Sequence, residues 1–341
     1  MKHAYLLALP LLLAAAQDAP PAPYALATLN IQQGGTRDAE GVYRGGTFHL
    51  VDSFTPPAEH GPRDALIAFE GPGWESDRVA YRLYLDERNV PDIYGKRLPR
   101  PVLPFIGQGK DDYHAMADWG QDILQVNQSL GAGGIGVWRQ NPETKKWGVT
   151  QLGRSRISAS IVNTPGRASV RVTSLGFAGD GGPANLIATY SIMPLSRITE
   201  VEATTNGRVP QMIAGIIRHP GVEIVSGKSG KWSFIGTWGV QSLAKDELGM
   251  VLFYRTDAAS PLRGETDISI RFCDRHHFRY AFAAAWIQEP GAPRTLAAFE
   301  AWARSAAAEF DHADALPEDD PCIFVSGIHV GPVAGPSPKQ R

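Results

Sequence analysis

Cysteine is nearly missing, with two in 341 residues, no CxxC pair and no Cys/His cluster. That excludes a disulfide-dense scaffold and a structural zinc site. Neither sign of charge is in excess, since 33 Lys+Arg face 35 Asp+Glu for a formal net charge of -2. A nucleic-acid binder needs a strongly basic face, so that class is excluded. After residue 16 no apolar run approaches the roughly 20 residues that span a bilayer, and no membrane span is expected. EF-hand loops, a Gly-x-Ser-x-Gly elbow and a lysine-containing phosphate loop are also absent. No cofactor and no metal ligand set are therefore expected.

Glycine and proline are plentiful, at 36 and 26 residues, and 43% of the chain is hydrophobic. This favours many short strands joined by turns around a large core over a helical bundle. At the start, Lys2 and His3 precede an apolar run over residues 4–16, broken by Pro10 and closed by Ala14, Ala15 and Ala16. The run reads as a secretory signal peptide, so an exported, periplasmic, soluble protein is expected. Its parts are a signal peptide at 1–16, a flexible leader at 17–27, a single domain at 28–330 and a disordered tail at 331–341. Cys273 and Cys322 allow two readings, a bridge favoured by an oxidising compartment or two separate buried thiols. A bridge closing that loop of about 50 residues contributes up to about 4 kcal/mol.

Period-two alternation of branched or aromatic residues predicts strands over 48–54, 65–70, 78–86, 156–162, 168–177 and 185–193. It continues through 197–206, 212–219, 232–238, 249–255, 266–272 and 278–286. Only residues 295–310 differ, placing Leu296, Phe299, Trp302, Ala303 and Ala306 at helical spacing. The fold expected is all-β, a large antiparallel double-sheet sandwich with one C-terminal amphipathic helix. The glycines of 131–136 are read as a tight, close-packed turn.

Strand 78–86 is the richest in chemistry. Alternation places Arg78, Arg82, Tyr84 and Asp86 on one face and Val79, Tyr81, Leu83 and Leu85 on the other. Two guanidiniums on one face suit an oxyanion groove, because an arginine fork binds a carboxylate or sulfate bidentately. A solvated outer face with ion pairs is the plainer alternative. His114 is the foremost acid/base candidate, as an imidazole among Tyr113, Asp118 and Trp119. His219 ends a strand beside a loop, and Trp119 and Trp238 are of a type that stacks on sugar rings or fills a core.

Residues 68–96, AFEGPGWESDRVAYRLYLDERNVPDIYGK, carry a distinctive pattern that continues through 116–122, 129–136, 235–241 and 280–286. The chain thereby resembles the bacterial domain-of-unknown-function family 4861. The resemblance implies an exported protein of carbohydrate-utilisation loci with a galactose-mutarotase-like β-supersandwich. It also implies elimination or dehydration at a uronic acid, with an acidic oligosaccharide as substrate. In such a reaction Arg78 or Arg82 would neutralise the carboxylate, and His114 or Tyr81 would serve as base or acid. Alternation sets Tyr81 opposite the arginines, so Tyr84 competes for its role; Lys96 is a spare cation, and Asp86, Trp119, His219 and Trp238 complete the expected binding set. A mutarotase or epimerase using His219 or His114 with Glu70, and a non-catalytic saccharide-binding protein, are the alternatives.

Overall fold

The computed structural model describes residues 22–109, 112–140 and 145–315. The expected signal peptide, Cys322 and the expected tail lie outside the described residues, and Cys273 is exposed. Most of the alternating segments form strands, although 48–54 divides into Thr47–Leu50 and Ser53–Phe54 in different sheets, and every pairing among the described residues is antiparallel. One five-stranded sheet runs in chain order through Ala25–Thr28, Gly73–Ser76, Val79–Leu83, Pro91–Lys96 and Gly120–Asp122. A second has the order Trp147–Gln151, Ala132–Gln140, Gln211–Ile217, Asp267–Phe272, Ala259–Arg263. The central sheet has nine strands, from Glu223–Ser229 at one edge to Ser53–Phe54 at the other.

Both five-stranded sheets lie on one face of the central sheet, because all three contribute apolar faces to one core. Trp74, Tyr81 and Ile93 enter it from the first, Ile135, Val137 and Met212 from the second, and Tyr190, Val201 and Phe282 from the centre. Two polar groups at this interface find partners across it: the Trp74 Nε1 donates to Thr199 Oγ1 at 2.8 Å, and the Tyr280 hydroxyl to the Gly133 carbonyl at 2.6 Å. The opposite face of the central sheet is covered by the helix Leu296–Ala315. Its Phe299, Ala303, Ala307 and Phe310 form one stripe on Val251, Phe253 and Ala283. Thr295 Oγ1 accepts from the Ala298 amide at 3.2 Å and caps the start. The chain is thus an all-β sandwich with one C-terminal helix, and among the described residues no helix is long and apolar enough to cross a membrane.

Three local expectations are corrected. Residues 25–27, read as the end of a leader, belong to a strand paired with Gly73–Ser76. Residues 65–70 are not a strand; Ala68–Glu70 is a 3-10 turn whose Phe69 and Glu70 take φ of 41° and 65°. The glycine run enters the strand Ala132–Gln140 instead of forming a turn. There a Cβ on Gly136 would stand 2.5 Å from the Thr150 carbonyl, and one on Gly133 2.3 Å from the Phe282 ring. These glycines permit close approach of neighbours within a sheet.

Candidate active site

The strand Val79–Leu83 is buried on both faces. Val79, Tyr81 and Leu83 join the main core, as alternation requires. Ala80 and Arg82 face the other way, with Asp92, Tyr94 and Lys96 on the adjacent strand and Asp122 on the next. This face is neither a groove nor solvated: Val102, Leu103 and Ile106, from the segment between Lys96 and Gly120, roof it. Glu75, fully buried, holds the roof down by accepting from the Val102 and Leu103 amides, both at 3.0 Å.

Arg82 is 1% exposed and its guanidinium is fully engaged. Nη2 donates to Asp92 Oδ2 at 2.7 Å, to Asp122 Oδ2 at 2.9 Å and to the Tyr84 hydroxyl at 2.6 Å. Nε reaches Asp92, and Nη1 the Phe69 carbonyl and the Tyr113 hydroxyl. Tyr84 lies between two guanidiniums, with Arg82 at 4.3 Å and Arg88 at 3.5 Å from its ring centre. Arg88 in turn pairs with Glu70 at 2.9 Å and with Asp86. The left-handed Phe69–Glu70 turn presents both the carbonyl and the carboxylate that these arginines use, a local backbone strain retained at the cluster.

The cluster meets solvent at His114. That side chain is 56% exposed, lies tilted against Tyr113 at 4.3 Å between ring centres, and sets Nε2 3.7 Å from Asp122 Oδ2. Burial, reinforced by the charge of Asp92, raises Asp122 well above the ordinary carboxylate range against the pull of Arg82. Burial and Asp92 likewise push the Tyr84 phenol far up. Burial opposes the charged form of Arg82, but Tyr94, Asp92 and Asp122 outweigh it. The arrangement is therefore an exposed imidazole backed by a buried carboxyl whose pKa burial raises and which Arg82 holds in place.

Other expected site residues fall elsewhere. Arg78 lies apart from Arg82, with its Nη1 on the Pro290 carbonyl at 3.1 Å and its Nε beside Asp77. Tyr81 is a core residue; its hydroxyl donates to the Arg197 carbonyl and accepts from the Ala284 amide. Lys96 is buried on Glu75 at 2.6 Å and bonded to the Tyr24 hydroxyl, its pKa lowered by burial although Glu75 opposes this. Trp238 packs on Phe299 under the helix, so it is no sugar platform. His219 follows a strand of the second five-stranded sheet, with Nε2 buried and unpartnered and its pKa lowered by burial. Trp119 packs beside Tyr94 at the roof, and Asp86 serves Arg88.

Asp92, Asp122 and Arg88 were not singled out by sequence reasoning, and Tyr113 was named only as a neighbour of His114. A signal existed for Asp92: carrying the alternation of 78–86 through the turn sets Arg82 opposite Asp92 in the hairpin. Asp86 also lines a cleft of about 1040 Å³ shared with His60, Arg154 and Arg156. Among the described residues no group of His, Cys, Asp and Glu has the arrangement of a metal site. A family model, Domain of unknown function (DUF4861), matches residues 11–313. No curated protein matches the chain.

Proposed function

The chain belongs to the DUF4861 family, and from its site we propose an enzyme that eliminates across C4–C5 of a uronic acid in an acidic oligosaccharide. The observation that carries this reading is the exposed His114 imidazole, whose Nε2 stands 3.7 Å from Oδ2 of the buried Asp122. A uronate C5 proton is weakly acidic because its carboxyl group delocalises the resulting carbanion. His114 removes that proton, and the C–H electron pair passes into the carboxyl group as an enediolate. The electrons return to form the C4–C5 double bond as the oxygen substituent on C4 leaves and takes up the proton that His114 removed from C5, which returns the imidazole to its starting form. A hydroxyl leaves as water, and a glycosidic oxygen as the neighbouring sugar.

Asp122 is the proton reservoir behind His114, while Arg82, Asp92 and Tyr84 are positioning residues that fix it. Arg82 is committed to internal carboxylates and does not neutralise the substrate. That role falls to the exposed Arg97 and Arg100, which open the segment carrying His114. Arg97 donates its backbone amide to the Trp119 carbonyl at 2.7 Å, which supports its placement beside this segment. Incubation with uronate-containing oligosaccharides is expected to give an absorbance rise in the near ultraviolet from the conjugated double bond. Mass spectrometry separates loss of water from chain cleavage. His114→Asn is expected to abolish the product at wild-type thermal stability; unchanged turnover in that variant would overturn the assignment.

A further inference from the structure

The cleft of about 1040 Å³ that Asp86 lines runs between the segment 56–62 and the ends of the central-sheet strands Arg156–Thr164, Arg167–Gly179 and Gly182–Ile192. It meets the Arg82 cluster at Asp86, whose carboxylate is taken by Arg88, and His114 is not in its lining. A cup of about 320 Å³ lies along the same strands, lined by Ser53, Thr55, Ser158, Ser160, Arg171 and Thr173. Thr55 and Ser158 of the cup are consecutive with Pro56 and Ile157 of the cleft, so the two form one elongated groove.

Register places its side chains. Along Arg156–Thr164, Ile157 and Ala159 enter the main core, so Arg156, Ser158 and Ser160 project from the opposite face. On the next strand Leu175, Thr173 and Arg171 stand directly across from them and share that face, while Val170 and Val172 enter the core. Ser53 of the edge strand is across from Ser160. The C-terminal helix packs on strands at the other edge of the sheet and leaves this part open. Arg154, Arg156 and Arg171 are all exposed, and Ser158, Ser160 and Thr173 are partly so. The segments bordering the groove, 53–62, 84–89 and 152–187, are all among the described residues. The wall is fixed as well: His60 Nδ1 lies 2.7 Å from Asp64 Oδ2, and its Nε2 3.1 Å from the Leu85 carbonyl.

We propose that this groove binds an extended acidic oligosaccharide, with Arg156 and Arg171 holding carboxylate or sulfate groups of different sugar residues and the hydroxyls of Ser158, Ser160 and Thr173 bonding the sugars between them. Four residues of strand separate the two arginine positions, about 13 Å, so one small anion does not bridge them. Each guanidinium fork fits two oxygens of one oxyanion. Serine and threonine hydroxyls both donate and accept, as sugar hydroxyls require, and Pro56, Pro57 and Leu175 offer apolar surface to a ring. That the ligand is elongated and anionic stands on the groove; that it is a saccharide rests on the function proposed above.

Isothermal titration of the full chain carrying His114→Asn, which does not consume the ligand, tests this. The probes are a uronate or sulfated hexasaccharide, a neutral hexasaccharide, a uronate monosaccharide and an acidic peptide. An acidic hexasaccharide is expected to bind at least about tenfold tighter than each of the others. Arg156→Gln and Arg171→Gln, both at exposed positions, are each expected to weaken it by about tenfold or more. Amide exchange over residues 53–62 is expected to slow when it binds. Unaltered affinity in both arginine variants, equal affinity for the neutral sugar or the monosaccharide, or tighter binding of the peptide would overturn the proposal. Turnover by the wild type separates the two readings. Arginine-dependent binding without any product removes the enzymatic assignment and leaves the groove. Product formed with binding indifferent to Arg156 and Arg171 does the reverse.

Discussion

At Arg82 one buried guanidinium meets two acidic side chains, two phenols and a strained carbonyl. Removing one partner of a buried ion pair strands the others, a loss of about 3–5 kcal/mol. Arg82→Ala is therefore expected to lower stability by about that amount in urea unfolding. Asp122→Asn behaves differently. Because burial favours the neutral form of Asp122, the amide keeps the shape and charge of that form, and its cost is expected to stay within about 1 kcal/mol. Turnover, in contrast, should fall by about 100-fold or more, since an amide neither takes nor gives the proton. Comparable losses of activity and stability in Asp122→Asn would assign the residue a structural role only. At this scale His114 and Arg82 were legible in the sequence as residue types suited to acid/base and anion chemistry. Their relation was not. Asp122 joins them through strand pairing forty residues downstream of Arg82, a distance that local alternation does not cover.

Among the elements, the roof between Lys96 and Gly120 decides what the Arg82 face can do. Two backbone amides of the roof and the Lys96 ammonium converge on Glu75. Glu75→Gln leaves Lys96 buried without its counter-charge. It is expected to cost about 3–5 kcal/mol and to speed proteolytic cleavage near residues 97–109. A resistant roof in that variant would show that its apolar contacts suffice. The strands themselves were legible, since Val79–Leu83 and most elements after residue 156 follow period two. The irregular roof was not, as it follows no period and its apolar residues cover a sheet by tertiary contact alone. Gly136 illustrates the converse, a glycine-rich stretch that resembles a turn until a neighbouring strand is present. Gly136→Ala drives a Cβ toward the Thr150 carbonyl and is expected to cost about 1–3 kcal/mol by thermal unfolding.

Across the whole molecule, Glu289 ties the layers together: it pairs with Arg197 at 2.9 Å, and the Arg197 carbonyl receives the Tyr81 hydroxyl. Burial raises Glu289 to about 7 despite Arg197, with one carboxyl oxygen left without a partner among the described residues. The folded state keeps this proton after the unfolded chain has lost it. Its contribution is full below about pH 4.5 and declines as pH rises through about 7, by roughly 3 kcal/mol. Asp64 has the opposite sign. Burial favours its neutral form, but hydrogen bonds from His60 and Arg37 prevail and hold it at about 2. Its contribution is present above its ordinary 3.8 and is lost as pH falls through about 2. These two groups place maximal stability near pH 4, and Glu289→Gln should flatten the decline above it in denaturation measured across pH. An unchanged slope would assign that decline to other groups. Composition and period two determined by themselves that this chain is an antiparallel β-protein closed by one helix, because burying alternate side chains is a local demand that each strand records. Which polar residues meet, which face is roofed and which arginines line one groove were decided only by the tertiary structure. These are pairings between segments distant along the chain, fixed when the sheets dock.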